Sequence, residues 1–146
     1  MDRKIVIIAD RRLNGVSDMR EILFKAKRLD NGEWVEGYYV YCRKRHYILP
    51  VLNKAIGFDE REDEWIEIDP DTICQYTGLT DKEIWENDIL KNKKGDIGVV
   101  QWFEEHTAFM IWNKTKNCVC YLSENDFSKI EIIGNVFDNA DLLEVE

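Results

Sequence analysis

The side chains best suited to chemistry in this 146-residue sequence are four cysteines and two histidines. Cys118 and Cys120 are two residues apart in an apolar stretch, a spacing that puts both thiols on one face of a strand. Cys74, His46 and His106 are the other ligands that such a pair could recruit for zinc. Structural zinc sites usually show paired Cys/His spacings in turns, and this chain has a single pair, in a strand. Free, buried cysteines fit better, so we expect no metal and no other cofactor.

A nucleophilic enzyme would need a cysteine or serine beside a base and an orienting group. The sequence around Cys42, Cys74, Ser123 and Ser128 resembles no nucleophile motif, and no glycine-rich loop is present to cradle a phosphate. The chain is therefore predicted not to be an enzyme.

Carboxylates crowd the middle of the chain, where residues 59–88 contain twelve of them against Arg61 and Lys82. Acid–base pairs of the glycosidase kind face each other across a cleft, and divalent cations need several converging oxygens. The spacing in this segment fits no ligand loop. We interpret it as a solvated acidic face.

A second charged stretch, "YYVYCRKRHY" at residues 38–47, interleaves bases with aromatic rings. Such a stretch can bind nucleic acid through phosphate contacts and base stacking. The overall charge of −9 opposes this, because it repels a phosphate backbone. A solvated strand end is the simpler interpretation, and nucleic-acid binding stays an alternative. The candidate patch comprises Tyr41, Arg43, Lys44, Arg45 and Tyr47, with Lys91, Lys93 and Lys94 as further contributors.

The charge is also unevenly distributed, because residues 20–54 contain eight bases against four acids. A basic first half and an acidic middle are complementary, and the edges of short strands invite pairing. We therefore predict self-association into a homo-oligomer.

The elements that must position these side chains are mainly strands, in two small antiparallel β units with little helix. No apolar run reaches the roughly 18 residues that a membrane span needs, and residues 4–9 are too short for a secretory signal. We expect a cytoplasmic protein that contacts no membrane. Residues 1–18 are predicted to be an N-terminal extension, or alternatively an edge strand at residues 4–9, with the domain proper starting at Met19.

The N-terminal β unit is expected at residues 19–78 and the C-terminal unit at residues 79–146. After Asp88 the pattern gives four short strands, a helical turn at residues 123–127 and a fifth strand. That order is expected of an SH3-like barrel, and an OB-like barrel is the alternative. Trp102, Trp112 and Tyr121 should mostly be core, and an exposed aromatic among them would mark a groove for a peptide or protein.

The segment between the units, "DPDTICQYTGLTDKEIWENDILKNKKGDIGVV", has the turn residues of a corner between two β units. Gly78 and Asn87 can supply positive φ, and Gly95 lies in a predicted hairpin turn. Asp69 and Asp88 can accept bonds from nearby backbone N–H groups.

Four segments carry a resemblance to a known family: "MREILFKAKRLDNGEWVEGYYV", "QYTGLTDKEIWENDIL", "GDIGVVQW" and "IEIIGNVFDNADLL". In this order they resemble the YopX family of bacteriophage and prophage proteins, from Met19 to near the end of the chain. The chain departs from the family at Asn87, where Gly is usual, and in the shorter turn after Leu79. Asn is the residue next best suited to a left-handed backbone, so the same turn is expected.

The resemblance implies a mainly β protein expressed from phage or prophage genes in bacterial cytoplasm. The family has no established biochemical function, so the resemblance supplies no catalytic residues. We therefore expect a non-enzymatic accessory protein that binds itself or an unknown host or phage protein. The alternative is a nucleic-acid-binding regulator.

Overall fold

The computed structural model of the chain describes residues 22–50, 65–79, 82–122 and 129–144. The predicted extension at residues 1–18, the strand at residues 4–9 and the helical turn at residues 123–127 lie outside these ranges. The chain forms two compact units, one that ends at Gly78 and one that begins at Leu79. We refer to them as the first and the second unit.

The first unit contains a five-stranded antiparallel sheet with the strand order β4-β3-β2-β1-β5. The tight turn that joins its first two strands contains Gly32 at a φ of 74°. Its strands are β1 (Phe24–Lys27), β2 (Trp34–Cys42), β3 (Arg45–Pro50), β4 (Ile66–Glu67) and β5 (Cys74–Gln75).

This first sheet is curled, because β4 and β5 lie at opposite ends of the strand order yet are only a few residues apart in sequence. An isolated bridge between Arg28 and Ile68 brings the end of β4 beside the end of β1. The Asp69 N–H donates to the carbonyl of Lys27 at 2.8 Å, which extends this contact. The 3₁₀ turn Pro70–Thr72, which Asp69 caps, then leads directly into β5.

The core of the first unit contains Ala26, Ile48 and Ile68, each at most 1% exposed. Phe24, Val35 and Tyr39 pack against these three side chains. β1 and β2 alternate with period two, so Lys25, Lys27 and Trp34 lie on the opposite face of the sheet. The Lys25 and Lys27 ammonium groups lie 5.0 and 5.5 Å from the Trp34 ring centre, within cation–π range.

The second unit contains another five-stranded antiparallel sheet, with the strand order β10-β6-β7-β8-β9. The last strand thus pairs with the first strand of the unit. Within the described ranges no pairing between β9 and β10 closes the sheet. Its strands are β6 (Asp88–Lys91), β7 (Ile97–Phe103), β8 (Ala108–Asn113), β9 (Cys118–Tyr121) and β10 (Glu131–Asn135).

The core of the second unit is built from Ile84, Leu90, Val100, Ile111 and Ile130, all at most 8% exposed. β10 departs from the regular alternation of side chains along a strand. A β-bulge between Ile132 and Gly134 interrupts the period-two alternation, and Ile132 is 40% exposed.

The protein is therefore mainly β and antiparallel, as the sequence predicts, and each of its two units contains a five-stranded sheet. Helical structure in the described ranges consists of three short 3₁₀ segments, Pro70–Thr72, Glu104–His106 and Ala140–Leu143. None of the helices in these ranges has the length and apolar character needed to cross a bilayer.

Candidate functional site

The basic residues of the candidate patch lie at the tip of the hairpin that joins β2 to β3. Cys42 pairs with Arg45, so Arg43 and Lys44 alone form the turn. Their φ angles are 53° and 66°, and both side chains are exposed. Two-residue turns with positive φ at both positions strongly prefer Asn and Gly. This turn holds two cations in a backbone conformation that costs each of them about 1–2 kcal/mol.

The neighbouring residues of the patch are divided between the two faces of the hairpin. Tyr41 is opposite His46, and their ring centres are 4.9 Å apart. Tyr47 points to the other face, where it packs against Trp65 at 5.7 Å. Arg45 is partly neutralised by an ion pair with Glu67 at 3.5 Å. The structure therefore does not bring Tyr41 and Tyr47 together into one stacking platform.

His46 has a structural partner within this hairpin. Its Nδ1 shares a hydrogen bond with the Tyr39 hydroxyl, and the two rings stack with their centres 5.8 Å apart. Burial raises the pKa of Tyr39, so its hydroxyl stays protonated near pH 7.

The remaining predicted cations belong to the second unit. Lys91 ends β6, and Lys93 and Lys94 lie in the turn that leads to β7; all three are exposed. These three lysines therefore belong to the second unit, whereas the Arg43–Lys44 turn belongs to the first.

The predicted turn residues occupy the connections around β6. Gly78 and Gly95 both have a φ of 89°, and Asn87 has a φ of 72°. The backbone of Asn87 donates to Val100 at 2.7 Å and accepts from Val136 at 3.0 Å, so this turn fixes β7 and the end of β10 around β6. The Asp88 carboxylate accepts a bond from the Trp85 N–H at 2.9 Å. These contacts are geometric supports for the sheet.

A buried polar cluster in the second unit was missed in the sequence. Asn92, Asp96 and Asn113 are 5%, 6% and 1% exposed. The side-chain amides of Asn92 and Asn113 donate to the Asp96 carboxylate at 3.4 and 3.3 Å, and the Lys116 ammonium lies 3.5 Å away. Burial raises the pKa of Asp96, but the bonds from Asn113 and Asn92 and the charge of Lys116 outweigh it, so the net shift is downward.

This cluster also shapes the β6–β7 turn. The side-chain oxygen of Asn92 accepts from the backbone N–H groups of Lys94 and Asp96, both at 2.9 Å. The Asn-x-x-x-Asp spacing around Gly95 is the signal that could have indicated it, since Asn side chains commonly cap such turns. The cluster links the β6–β7 turn to the end of β8 and the turn that follows it.

The cysteines differ in exposure. Cys74 and Cys120 are buried, and their thiols donate to the carbonyls of Thr72 at 3.4 Å and Ile111 at 3.8 Å. Cys118 is exposed although it lies two residues from Cys120. In the part of the chain that the structure describes, no three His, Cys, Asp or Glu side chains are grouped to hold a metal ion.

The second unit exposes several large apolar side chains, contrary to the expectation that its aromatics are mostly core. Trp102 is 47% exposed, Tyr121 is 53% exposed and Val119 is 40% exposed, whereas Trp112 is half-buried. Trp102 lies near the end of β7, where its ring centre is 5.1 Å from that of Phe109 on β8. Val119 and Tyr121 alternate with the buried Cys120 along β9, so they lie on the opposite face of this strand, which is the outer one of the sheet in the described ranges. We call Cys118, Val119 and Tyr121 the β9 edge.

These features define a small, mainly β protein with a basic hairpin on one antiparallel sheet and an exposed apolar edge on the other. The chain belongs to the YopX family: the family model described as YopX protein matches residues 23–144. No curated protein matches the sequence.

Proposed function

We propose that this chain is a non-enzymatic phage or prophage accessory protein that acts in the bacterial cytoplasm by binding a protein, either itself or a host or phage partner. The observation that carries the proposal is the β9 edge, where two large apolar side chains, Val119 and Tyr121, are 40% and 53% exposed on an outermost strand. Exposed aromatic and aliphatic side chains at a sheet edge are typical of peptide and protein recognition by strand addition.

The environments of the most reactive side chains support a non-enzymatic role. His46 bonds to Tyr39 between aromatic rings, and the Cys74 and Cys120 thiols donate to backbone carbonyls. The Asp96 carboxylate accepts bonds from two buried amides. Each of these groups has a structural partner that explains its position.

We further propose that the second unit is an SH3-like barrel. Its fifth strand, β10, pairs with its first strand, β6, and the other strands follow in chain order. That order favours the SH3-like arrangement over the OB-like alternative, in which the fifth strand lies beside the third.

The test of the binding function uses the full chain as bait in a bacterial lysate, in nuclease-treated and untreated halves. The Tyr121→Ser variant should capture at least about tenfold less protein than the wild type, because an aromatic anchor typically contributes about 2 kcal/mol or more to binding. Leu29→Ser is the matched control: Leu29 is 57% exposed in the first unit, and its loss should leave capture unchanged. Catalytic turnover abolished by a point substitution would contradict the proposal, as would equal capture by both variants.

A second candidate function is nucleic-acid binding by the β2–β3 hairpin. The specific observation in its favour is that Arg43 and Lys44 occupy left-handed positions where Asn and Gly would be more stable. Backbone strain of this kind is often kept where a side chain has a function.

The substitution Arg43→Asn/Lys44→Gly separates stability from charge. We expect the free energy of unfolding of the first unit to rise by about 1–2 kcal/mol, because the turn then has its preferred residues. If the hairpin binds nucleic acid, the slope of log affinity against log salt for a single-stranded oligonucleotide should fall by about 1–2. Chemical unfolding and fluorescence titration at several salt concentrations measure both quantities.

The matched control is Lys93→Gln/Lys94→Gln, which removes the same charge from the second unit and leaves the hairpin intact. Binding that does not depend on salt, or that both variants weaken equally, would contradict the hairpin as the site. If the Arg43→Asn/Lys44→Gly variant were no more stable than the wild type, the backbone of the wild-type turn would not be strained.

A further inference from the structure

We infer that β9 pairs antiparallel with β9 of a second copy of this chain, about a two-fold axis that passes through Cys120 perpendicular to the sheet. The inference rests on the proposed function, since it names the binding surface and its occupant. It would join two sheets of five strands into one continuous sheet across the dimer.

The two outer strands of the second sheet differ in how they are protected. β10 carries a β-bulge and begins with the exposed Glu131, two devices that discourage pairing at an edge. β9 reads Cys-Val-Cys-Tyr, with no charge, proline or bulge. An uncharged, regular and apolar outer strand is a template for another strand.

The register follows from the exposed side chains. A two-fold axis perpendicular to the sheet keeps each residue and its copy on the same face. Because side chains alternate between the two faces and opposite residues share a face, an odd-numbered residue can lie opposite only an odd-numbered one, and an even-numbered residue opposite an even-numbered one. With the axis at Cys120, Val119 of each copy lies opposite Tyr121 of the other, and this pair occurs twice. An aromatic ring beside a β-branched side chain is a favourable cross-strand pair. An axis at Val119 would instead leave Tyr121 opposite Asn117.

Charge at the two ends of β9 indicates a second copy rather than an unrelated strand. The turn between β8 and β9 contains Lys114 and Lys116, next to Cys118. The turn between β7 and β8 contains the exposed Glu104 and Glu105, at the end where Tyr121 pairs with Met110. The His106 and Tyr121 ring centres, 6.5 Å apart, confirm that this turn lies near Tyr121.

The two-fold axis exchanges these ends, so the basic turn of each copy lies on the same side of the interface as the acidic turn of the other. The turns are separated by about three strand spacings, roughly 14 Å between backbones, before the reach of the side chains is counted. That separation is comparable with a Debye length of about 8–10 Å, so the attraction should be moderate and sensitive to salt.

The experiment is sedimentation velocity on the full chain from about 1 μM to 1 mM, the range of small interfaces. Val119→Lys should raise the dimer dissociation constant at least about tenfold, because it places two ammonium groups near each other on one face. Ile132→Lys is the matched control: Ile132 is also 40% exposed, on the opposite edge of the same sheet. It should leave the dissociation constant unchanged.

Glu104→Lys/Glu105→Lys tests the charge argument. It should weaken the dimer by about three- to tenfold at low salt and match the wild type near 1 M salt, where charges are screened within about 3 Å. Hydrogen exchange on the wild type avoids any folding defect of a variant. Amides within Cys118–Tyr121 should exchange more slowly as the protein concentration rises, and those within Glu131–Asn135 should not.

A wild-type chain that stays monomeric to 1 mM overturns the β9 pairing and leaves the lysate experiment to decide whether the chain binds another protein. A dimer that Val119→Lys and Ile132→Lys affect equally overturns the pairing while retaining self-association. A dimer lost only with Ile132→Lys places the interface at β10 and also overturns it.

Discussion

Gly37→Ala is expected to unfold the first unit, or to lower its free energy of unfolding by about 3 kcal/mol or more. Gly37 is buried in the middle of β2, where it pairs with Phe24 of β1 and Pro50 of β3. A methyl group at this position would contact the Leu49 carbonyl group, with the carbonyl carbon at 2.8 Å, and would lie 2.9 Å from the Pro50 Cα.

The size of this effect follows from what the methyl group meets. Both contacts are with backbone atoms, so no side chain can rotate away, and β3 must separate from β2. Urea unfolding followed by the indole NMR signals of Trp34 and Trp65 reports on the first unit. The indole signals of Trp85, Trp102 and Trp112 report on the second unit, which should keep its stability.

Gly32→Ala is the control for backbone conformation. Gly32 has a φ of 74°, and an added Cβ would meet nothing within 4 Å. Its substitution should cost only about 1–2 kcal/mol, the cost of a left-handed Ala. If Gly37→Ala were no more destabilising than Gly32→Ala, that result would contradict the conclusion that β3 lies too close to Gly37 to leave room for a methyl group.

Asn113→Leu is expected to lower the free energy of unfolding of the second unit by about 2–3 kcal/mol at neutral pH. Asn113 is 1% exposed, donates to the Asp96 carboxylate at 3.3 Å and accepts from the Lys116 N–H at 2.9 Å. Leucine is of similar size but leaves both partners with one bond fewer inside the protein. Urea unfolding followed by the indole signals of the second unit measures the change.

The pH dependence identifies the cause. The pKa of Asp96 is lowered in the folded protein, so ionised Asp96 contributes stability above its ordinary pKa of 3.8, and acidification below that value removes it. Loss of the Asn113 donor raises the pKa of Asp96 toward the value that burial favours. The stability difference between wild type and Asn113→Leu should therefore be largest above about pH 5 and shrink toward pH 3.

The control is to introduce Asn113→Leu into an Asp96→Asn variant, because an amide at residue 96 accepts hydrogen bonds without carrying a charge. In that background Asn113→Leu should cost less, and the cost should not change between pH 3 and pH 7. A cost in the wild type that is the same at pH 3 and pH 7 would show that Asn113 does not act through the Asp96 carboxylate.

The sequence indicated the two-unit, mainly β architecture because the strands alternate clearly and the turns contain Gly or Asn. Gly32, Gly95 and Asn87 all have positive φ, the conformation for which these residues are favoured. Asp69 was predicted to accept a bond from a nearby backbone N–H, and its side chain accepts from Asp71 at the start of the 3₁₀ turn. In each case a local residue preference and the final structure agree.

The candidate site was harder to predict. The Arg43–Lys44 turn contains no Gly, Asn or Asp, so the sequence shows only three charged residues between two apolar runs. Tyr121 lies on the outer strand β9, whereas Trp102 is exposed near the end of the central strand β7, and both positions follow from a strand order that is set by pairing between distant residues. The bulge at Ile132 has the same origin, since its register is fixed by β6 and not by its own neighbours.

The curl of the first sheet limits where the chain can be shortened. Between the Arg28–Ile68 bridge and β5 there are five residues, and three of them form the 3₁₀ turn. A 3₁₀ turn advances only about 2 Å per residue, compared with about 3.3 Å in a strand, so a shortened connection could still reach β5 only if the turn unwound. Removal of a single residue here would therefore break the bonds by which Asp69 and Thr72 hold this connection to Lys27 of β1. An insertion would cost only a little loop entropy, so the connection suits a peptide tag far better than a deletion.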